Sequence, residues 1–263
     1  MTSIRRKPSG GWEARYRDPN GRQRGKTFPT KVEARRFLER AGADKQRGAW
    51  VDPKHGRVTL ARWADGWLDN RPELRPRTRE LYRGLLDNHI LPSLGSVELA
   101  RLAPSAVRSW HARLLARHPS TAAKAYRLLA AMMTTAVADG VLVKSPCQVR
   151  GASQEHAPER PMASIVEVEA LAENMPERLR LLVLLAAWCG LRRGELLALR
   201  LGDFDFMRGT VRIERSSYQM RDGTITCGPP KTEAGRHTVA IPPHVVPFVA
   251  NHVGTFVSPD PER

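Results

Sequence analysis

The sequence predicts a multidomain, mainly α-helical protein that also carries small β-sheets. Three observations predict it. Apolar residues recur at helical spacing through the middle of the chain, short alternating runs bounded by turn signals occupy both flanks, and a polar, proline-containing stretch separates the middle from the last hundred residues. The 263 residues are 41% hydrophobic, enough to build more than one core.

Residues 1–57 are the most basic part, with 16 Lys+Arg against 6 Asp+Glu. Trp12, Ala14 and Tyr16 alternate with Glu13, Arg15 and Arg17, the pattern of a half-exposed strand. Asp18-Pro19-Asn20-Gly21 is a turn signal, Arg22 to Phe28 returns as a second strand, and Thr30 opens a helix. Arg15 and Arg17 share a face away from the aromatic positions, which suits a sheet that contacts DNA; the alternative is a solvated charged surface.

Residues 58–143 read as four helices in a compact bundle. Leu60, Trp63, Ala64, Trp67 and Leu68 form one apolar stripe behind Thr59, an N-cap candidate. Leu81, Tyr82, Leu85 and Leu86 lie on the second helix, which stops near Pro92 and Gly95, and Pro104 starts the third. The fourth is expected to run from Ser120, as N-cap, to a left-handed stop at Gly140. Arg77, Thr78, Arg79, Lys124 and Arg127 flank helix starts or lie off the apolar stripes, and are the expected phosphate contacts of this segment. Residues 144–163, with three prolines, read as a linker.

Residues 164–263 form a third, mixed unit. Ser164 and Glu167 fit a capping box, and Glu177 to Cys189 is a helix apolar almost all round, expected to be buried. Gly190 breaks it, and Glu195 to Arg200 is expected to form a short helix. Thr210 to Ser216 and His237 to Ile241 alternate as strands, with Asp222-Gly223 as a hairpin turn, and Val245 to Val249 follows as an apolar helix.

A formal charge of +16 favours a polyanionic partner, because cations near phosphates release condensed counterions. Cys147, Cys189 and Cys227 are scattered, so neither a zinc site nor a disulfide framework is indicated, and no metal or cofactor is called for. The basic N-terminus lacks the apolar core of a signal peptide, and Leu181 to Cys189 is too short to span a bilayer. A cytoplasmic location, with a reducing environment, is expected.

Two windows have chemical potential. In Gly190-Leu191-Arg192-Arg193-Gly194-Glu195-Leu196, Arg192 follows a helix break and can aim its planar fork at two phosphate oxygens. Free amides and the dipole of the next helix would assist, and Glu195, three residues on, can steady the arginine. A plain surface ion pair fits the same residues. Lys231, after Gly228-Pro229-Pro230 at the expected tip of a hairpin, can reach a phosphate and donate a proton to a leaving oxygen; a solvated loop lysine is the alternative.

Together these windows carry a resemblance. Gly190 to Asp203 resembles the first catalytic-arginine box of the tyrosine recombinases of the phage-integrase type, and Pro230 to Pro242 resembles their catalytic-lysine hairpin. The stretch R-T-R-E-L-Y at Arg77 to Tyr82, then H-I-L-P-x-L-G at His89 to Gly95 and V-x-x-W at Val107 to Trp110, resembles their SAM-like core-binding domain. Residues 1–57 resemble their arm-binding domain of three strands and a helix. The resemblance implies that Arg192 clamps the attacked phosphate, Lys231 protonates the 5′-oxygen leaving group, and Glu195 supports the arginine. It also implies a double-stranded DNA partner with attachment sites, a tetramer on DNA, and a tyrosine nucleophile forming a 3′-phosphotyrosyl link.

The pattern stops short of that tyrosine. None of the eight histidines has Arg three residues later, and the tyrosines at 16, 82, 126 and 218 all precede Lys231. The expectation is a C-terminally truncated member that binds DNA but does not cleave it. The alternative is a non-catalytic DNA-binding regulator of recombination; an RNA- or ribosome-binding role lacks its usual signatures.

Overall fold

In the computed structural model, residues 2–17, 21–46, 55–155, 159–230 and 232–257 are described. The chain is mainly helical with small antiparallel sheets, and it divides into two compact units, Met1–Ala157 and Pro158–Arg263.

The first unit opens with strands β1 (Ser3–Arg6), β2 (Trp12–Arg17) and β3 (Gln23–Phe28), paired antiparallel in that order. Alternation along β2 buries Ala14 and Tyr16 against α1 (Lys31–Gln46), where Phe37 meets Tyr16 edge-on at 5.5 Å and Phe28 at 5.1 Å. Thr30 caps α1 by accepting from the Glu33 amide. The first three residues of the expected Asp18–Gly21 turn lie outside the described residues. β1 has no apolar alternation of its own and owes its strand to pairing with β2, from Ser3 opposite Arg15 to Arg6 opposite Trp12.

The helical assembly holds α2 (Leu60–Asp69), α3 (Pro76–Leu85), α4 (Leu91–Leu94), α5 (Pro104–Arg117) and α6 (Pro119–Ala138), with a π-turn at Leu86–Ile90 joining α3 to α4. Its core includes Leu60, Leu86, Ile90, Leu129, Met132 and Met133, all fully buried. The tryptophans are core residues with satisfied N–H groups: Trp67 donates to Thr135 Oγ1 at 2.9 Å and Trp110 to the His89 carbonyl at 2.7 Å. Thr59 caps α2 as expected. The start of α6 differs: Pro119 takes the first turn and His118 the cap, leaving Ser120 inside the helix. Proline's fixed φ and missing N–H suit that first position. Gly140 closes the helix at φ +66°.

The stretch read as a linker is partly docked. The Val149 amide donates to the Tyr126 hydroxyl at 2.8 Å, and Ala152 is buried on the same core. Burial here pushes the Cys147 thiol up to about 12, despite a bond with Ser145.

The second unit has α7 (Ile165–Asn174), α8 (Glu177–Cys189), α9 (Arg193–Leu196) and α10 (Val246–Phe256) around two small sheets. Strands β4 (Phe204–Asp205), β5 (Thr210–Ile213) and β8 (His237–Ala240) form one sheet; β6 (Ser216–Gln219) and β7 (Ile225–Gly228) form a hairpin through Asp222-Gly223. The Ser164–Glu167 capping box is present. Three expectations change. The short helix is Arg193–Leu196 rather than 195–200; the strand expected over 210–216 ends at Ile213, with Ser216 already in the other sheet; and α8 buries one face only, through Leu181, Leu184 and Leu185, while Ala186 and Ala187 are exposed. No described helix is long and apolar enough to cross a membrane.

Candidate phosphate site and nucleic-acid interface

Arg192 is placed by what surrounds it in sequence. α8 ends at Gly190, whose φ of +66° turns the chain in a conformation that glycine alone adopts without a steric cost. Leu191 is buried and anchors the turn. Arg192 is then extended (φ −72°, ψ 149°), and its side chain is 77% exposed. One turn on, Glu195 is only 4% exposed and grips Arg192 twice. Its Oε2 accepts from the Arg192 amide at 2.9 Å, and its Oε1 accepts from Nη1 at 2.8 Å. The remaining guanidinium N–H groups face solvent.

Burial alone would raise the Glu195 pKa. The bonds from the Arg192 amide and guanidinium, with the charges of Arg192 and His237, outweigh it and hold the carboxyl below its ordinary value. The carboxylate therefore stays charged and keeps the arginine oriented. The assistance expected from a helix dipole is not available: α9 is a single four-residue turn, too short for aligned peptides to sum. The guanidinium has to carry the attraction for an anion.

Gly194 sets the position of α9. A Cβ there would lie 2.6 Å from Ser216 Oγ and 2.7 Å from the Ser217 carbonyl oxygen of β6. Asp203, 7% exposed, binds Arg215 Nη2 through both oxygens, at 2.6 and 2.5 Å, and accepts from the Arg200 amide at 2.8 Å. This pair ties the exit of α9 to the β5–β6 connection. Asp203 closes the arginine-box pattern in sequence, but nothing in the surroundings of Arg215 marks it out as the partner. Nor does the sequence single out His237, which acts electrostatically on Glu195 and whose Nδ1 lies 3.0 Å from the Gly235 carbonyl oxygen.

Lys231 lies outside the described residues. β7 ends at Gly228, and β8 begins at His237 in the other sheet. The tip of the hairpin is Asp222-Gly223.

The other candidate residues fall in the first unit. Arg15 and Arg17 lie on the sheet face away from α1, where Arg15 pairs with Glu13 at 2.8 Å and Arg17 donates to the Gly21 carbonyl at 2.9 Å. Arg77, Thr78 and Arg79 occupy the first turn of α3; Arg77 faces Glu80 at 3.6 Å, and Arg79 faces Asp69 and the Arg71 carbonyl. Lys124 and Arg127 of α6 converge on one carboxylate, Glu155. The structure thus brings Arg192 and Glu195 together, and it holds the charges of the α3 and α6 candidates on carboxylates.

Comparison with known proteins adds a family assignment. Residues 2–47 match a family described as the phage integrase N-terminal domain, and residues 59–115 one described as the phage integrase N-terminal SAM-like domain. A Mycobacterium tuberculosis protein described as a prophage phiRv2 integrase is 36% identical, over 98% of this chain and 70% of its own length. The integrase of Mycobacterium phage L5 is 30% identical over 95% of this chain and 70% of its own. Among solved structures, a Tn1549 transposon integrase in complex with a circular intermediate DNA matches at a TM-score of 0.64 and 18% identity, covering 75% of this chain and 66% of that one. A lambda integrase dimer bound to a core site matches at 0.57 and 18%, over 96% and 71%. With its N-terminal matches, its arginine box and relatives of this similarity along nearly its whole length, the chain belongs to the phage-integrase family of tyrosine recombinases.

Proposed function

We propose that the chain binds duplex DNA as part of a site-specific recombination system and presents Arg192, steadied by Glu195, to a backbone phosphate. The observation that carries this reading is an exposed guanidinium held from behind by a buried, doubly bonded carboxylate. Such a group stabilises charge developing on a phosphate without moving first, the form of electrostatic help that phosphoryl transfer needs. Lys231 is assigned as proton donor to the leaving oxygen, on its place in the family pattern. Attachment-site duplexes are the expected partner, with assembly on DNA to a tetramer; a solved relative is a lambda integrase tetramer bound to a Holliday junction.

The same reading has the 263 residues hold DNA without cutting it. Tyr16 and Tyr126 are each 5% exposed, and Tyr126 is bonded to Val149. Tyr82 packs on Trp67 at 6.2 Å, and Tyr218 is half-buried within β6. None is an open nucleophile. The test is titration of the purified chain with a labelled duplex at several salt concentrations, followed by denaturing gels on a nicked duplex. Binding that weakens steeply with salt, and no covalent adduct, is expected. No binding in dilute buffer overturns the DNA reading, and an adduct overturns the assignment of the tyrosines.

Glu155 provides a second handle. Because it holds both Lys124 and Arg127, Glu155→Gln should strengthen duplex binding by releasing two cations. The salt slope should steepen by up to about 1.8, at about 0.9 for each added phosphate contact. If affinity and slope stay unchanged, Lys124 and Arg127 are not phosphate contacts.

A further inference from the structure

We propose that His89, Arg113, Arg117 and His118 form a binding site for a DNA backbone phosphate on the helical assembly of the first unit. The proposal rests on the duplex-binding reading above and names a contact that none of the sequence motifs assigned.

A cavity of about 300 Å³ lies between the π-turn and α4 on one side and the end of α5 and the start of α6 on the other. The rings of His89 and His118 approach within it, with centroids 5.9 Å apart. Arg113 and Arg117, four residues apart on α5 and both exposed, line the same cavity, and neither has an ion-pair partner among the described residues. The contrast with Arg77, Arg79, Lys124 and Arg127, each facing a carboxylate, is what singles them out. The other polar side chains of the wall, Asn88 and Ser93, are neutral, and Asp87 on the π-turn acts on Arg83.

Two permanent cations gathered in a concavity with no lining carboxylate among the described residues repel one another unless an anion joins them, and the imidazole N–H groups beside them can donate to that anion. The site is held rigid from below. Trp110, 2% exposed, fixes the His89 carbonyl with its indole N–H at 2.7 Å, so the histidine of the H-I-L-P stretch lines the cavity on a backbone that cannot drift. α6 leaves the cavity wall with proline in its first turn and no side-chain cap, so its first amides add to the positive field. Inorganic phosphate shares this chemistry. The open mouth and exposed arginines favour a phosphate within a duplex, which can arrive without being enclosed.

The test compares the full 263-residue chain with Arg113→Ala/Arg117→Ala in duplex titrations over a salt series. The salt slope should become shallower by up to about 1.8, at about 0.9 per phosphate contact, with affinity about tenfold lower or more at low salt. Both arginines are exposed, so the thermal midpoint should not move. In a second arm, His89→Gln/His118→Gln should weaken duplex binding at low salt, because both rings line the cavity. A wild type that binds duplex while the arginine variant keeps the same slope overturns this site and leaves the DNA reading standing. A wild type that ignores duplex overturns both. Inorganic phosphate that perturbs the His118 resonances while the arginine variant keeps the wild-type slope would reveal a free-anion site and overturn the backbone assignment.

Discussion

Arg215→Ala is expected to destabilise the second unit by about 3–5 kcal/mol, the usual cost of stripping one partner from a buried ion pair. Asp203 is almost fully buried and gives both carboxylate oxygens to Arg215. Once the guanidinium is gone, the carboxylate keeps only the Arg200 amide bond and must be protonated or drawn to water. Urea unfolding followed through Trp188, the one tryptophan between residues 158 and 263, would show the midpoint fall. Asp203→Leu combined with Arg215→Leu should recover much of the loss, since it removes the charge with its partner. Among the described residues Arg215 Nε is buried without a hydrogen-bond partner, so the pair is imperfectly satisfied there. Its value lies in position: it locks the exit of α9, and with it Arg192, to the β5–β6 connection. A midpoint unaffected by Arg215→Ala would show that this lock is unimportant.

Gly194→Ala carries the second large effect, about 1–3 kcal/mol of the same unit's stability, typical of atoms forced into occupied space. The new methyl would meet Ser216 Oγ at 2.6 Å and the Ser217 carbonyl oxygen at 2.7 Å. The hydroxyl can rotate away. The carbonyl cannot, because Ser217 is paired with Cys227 across the hairpin. α9 must lift, and the Arg192–Glu195 pair moves with it, so duplex affinity should fall together with the midpoint. Adding Ser216→Ala should rescue little, because the backbone oxygen remains. Full rescue would mean that the serine side chain, and not the strand, sets the approach.

The helical middle was legible because its signals are local. Thr59 marks a helix end through a side-chain cap three residues away, Pro104 and Gly140 through the backbone geometry each prefers, and the spacing from Leu60 to Leu68 names the buried face of α2. Arg192 and Glu195 were legible for the same reason: three residues apart, they meet through the chain's own turn. β1, the docking of Val149 on Tyr126 and the partner of Asp203 were not. Each depends on a residue distant in sequence, and nothing in Ser3–Arg6 or at Arg215 specifies what will lie opposite.

The basic residues proposed to contact DNA show the division most clearly. Pattern alone yields a basic chain, an arginine and a glutamate that meet one turn apart, and several of the helix ends. It could not tell which cations stay available, because availability depends on whether a carboxylate arrives in space. Glu155 reaches Lys124 and Arg127 from about thirty residues away, whereas Arg113 and Arg117 meet no such group among the described residues and stand with two histidines in a cavity. Periodicity and capping act over a few residues and can be read from order alone. Charge compensation acts through a few ångströms of space, and its partners are set by how the chain folds back on itself.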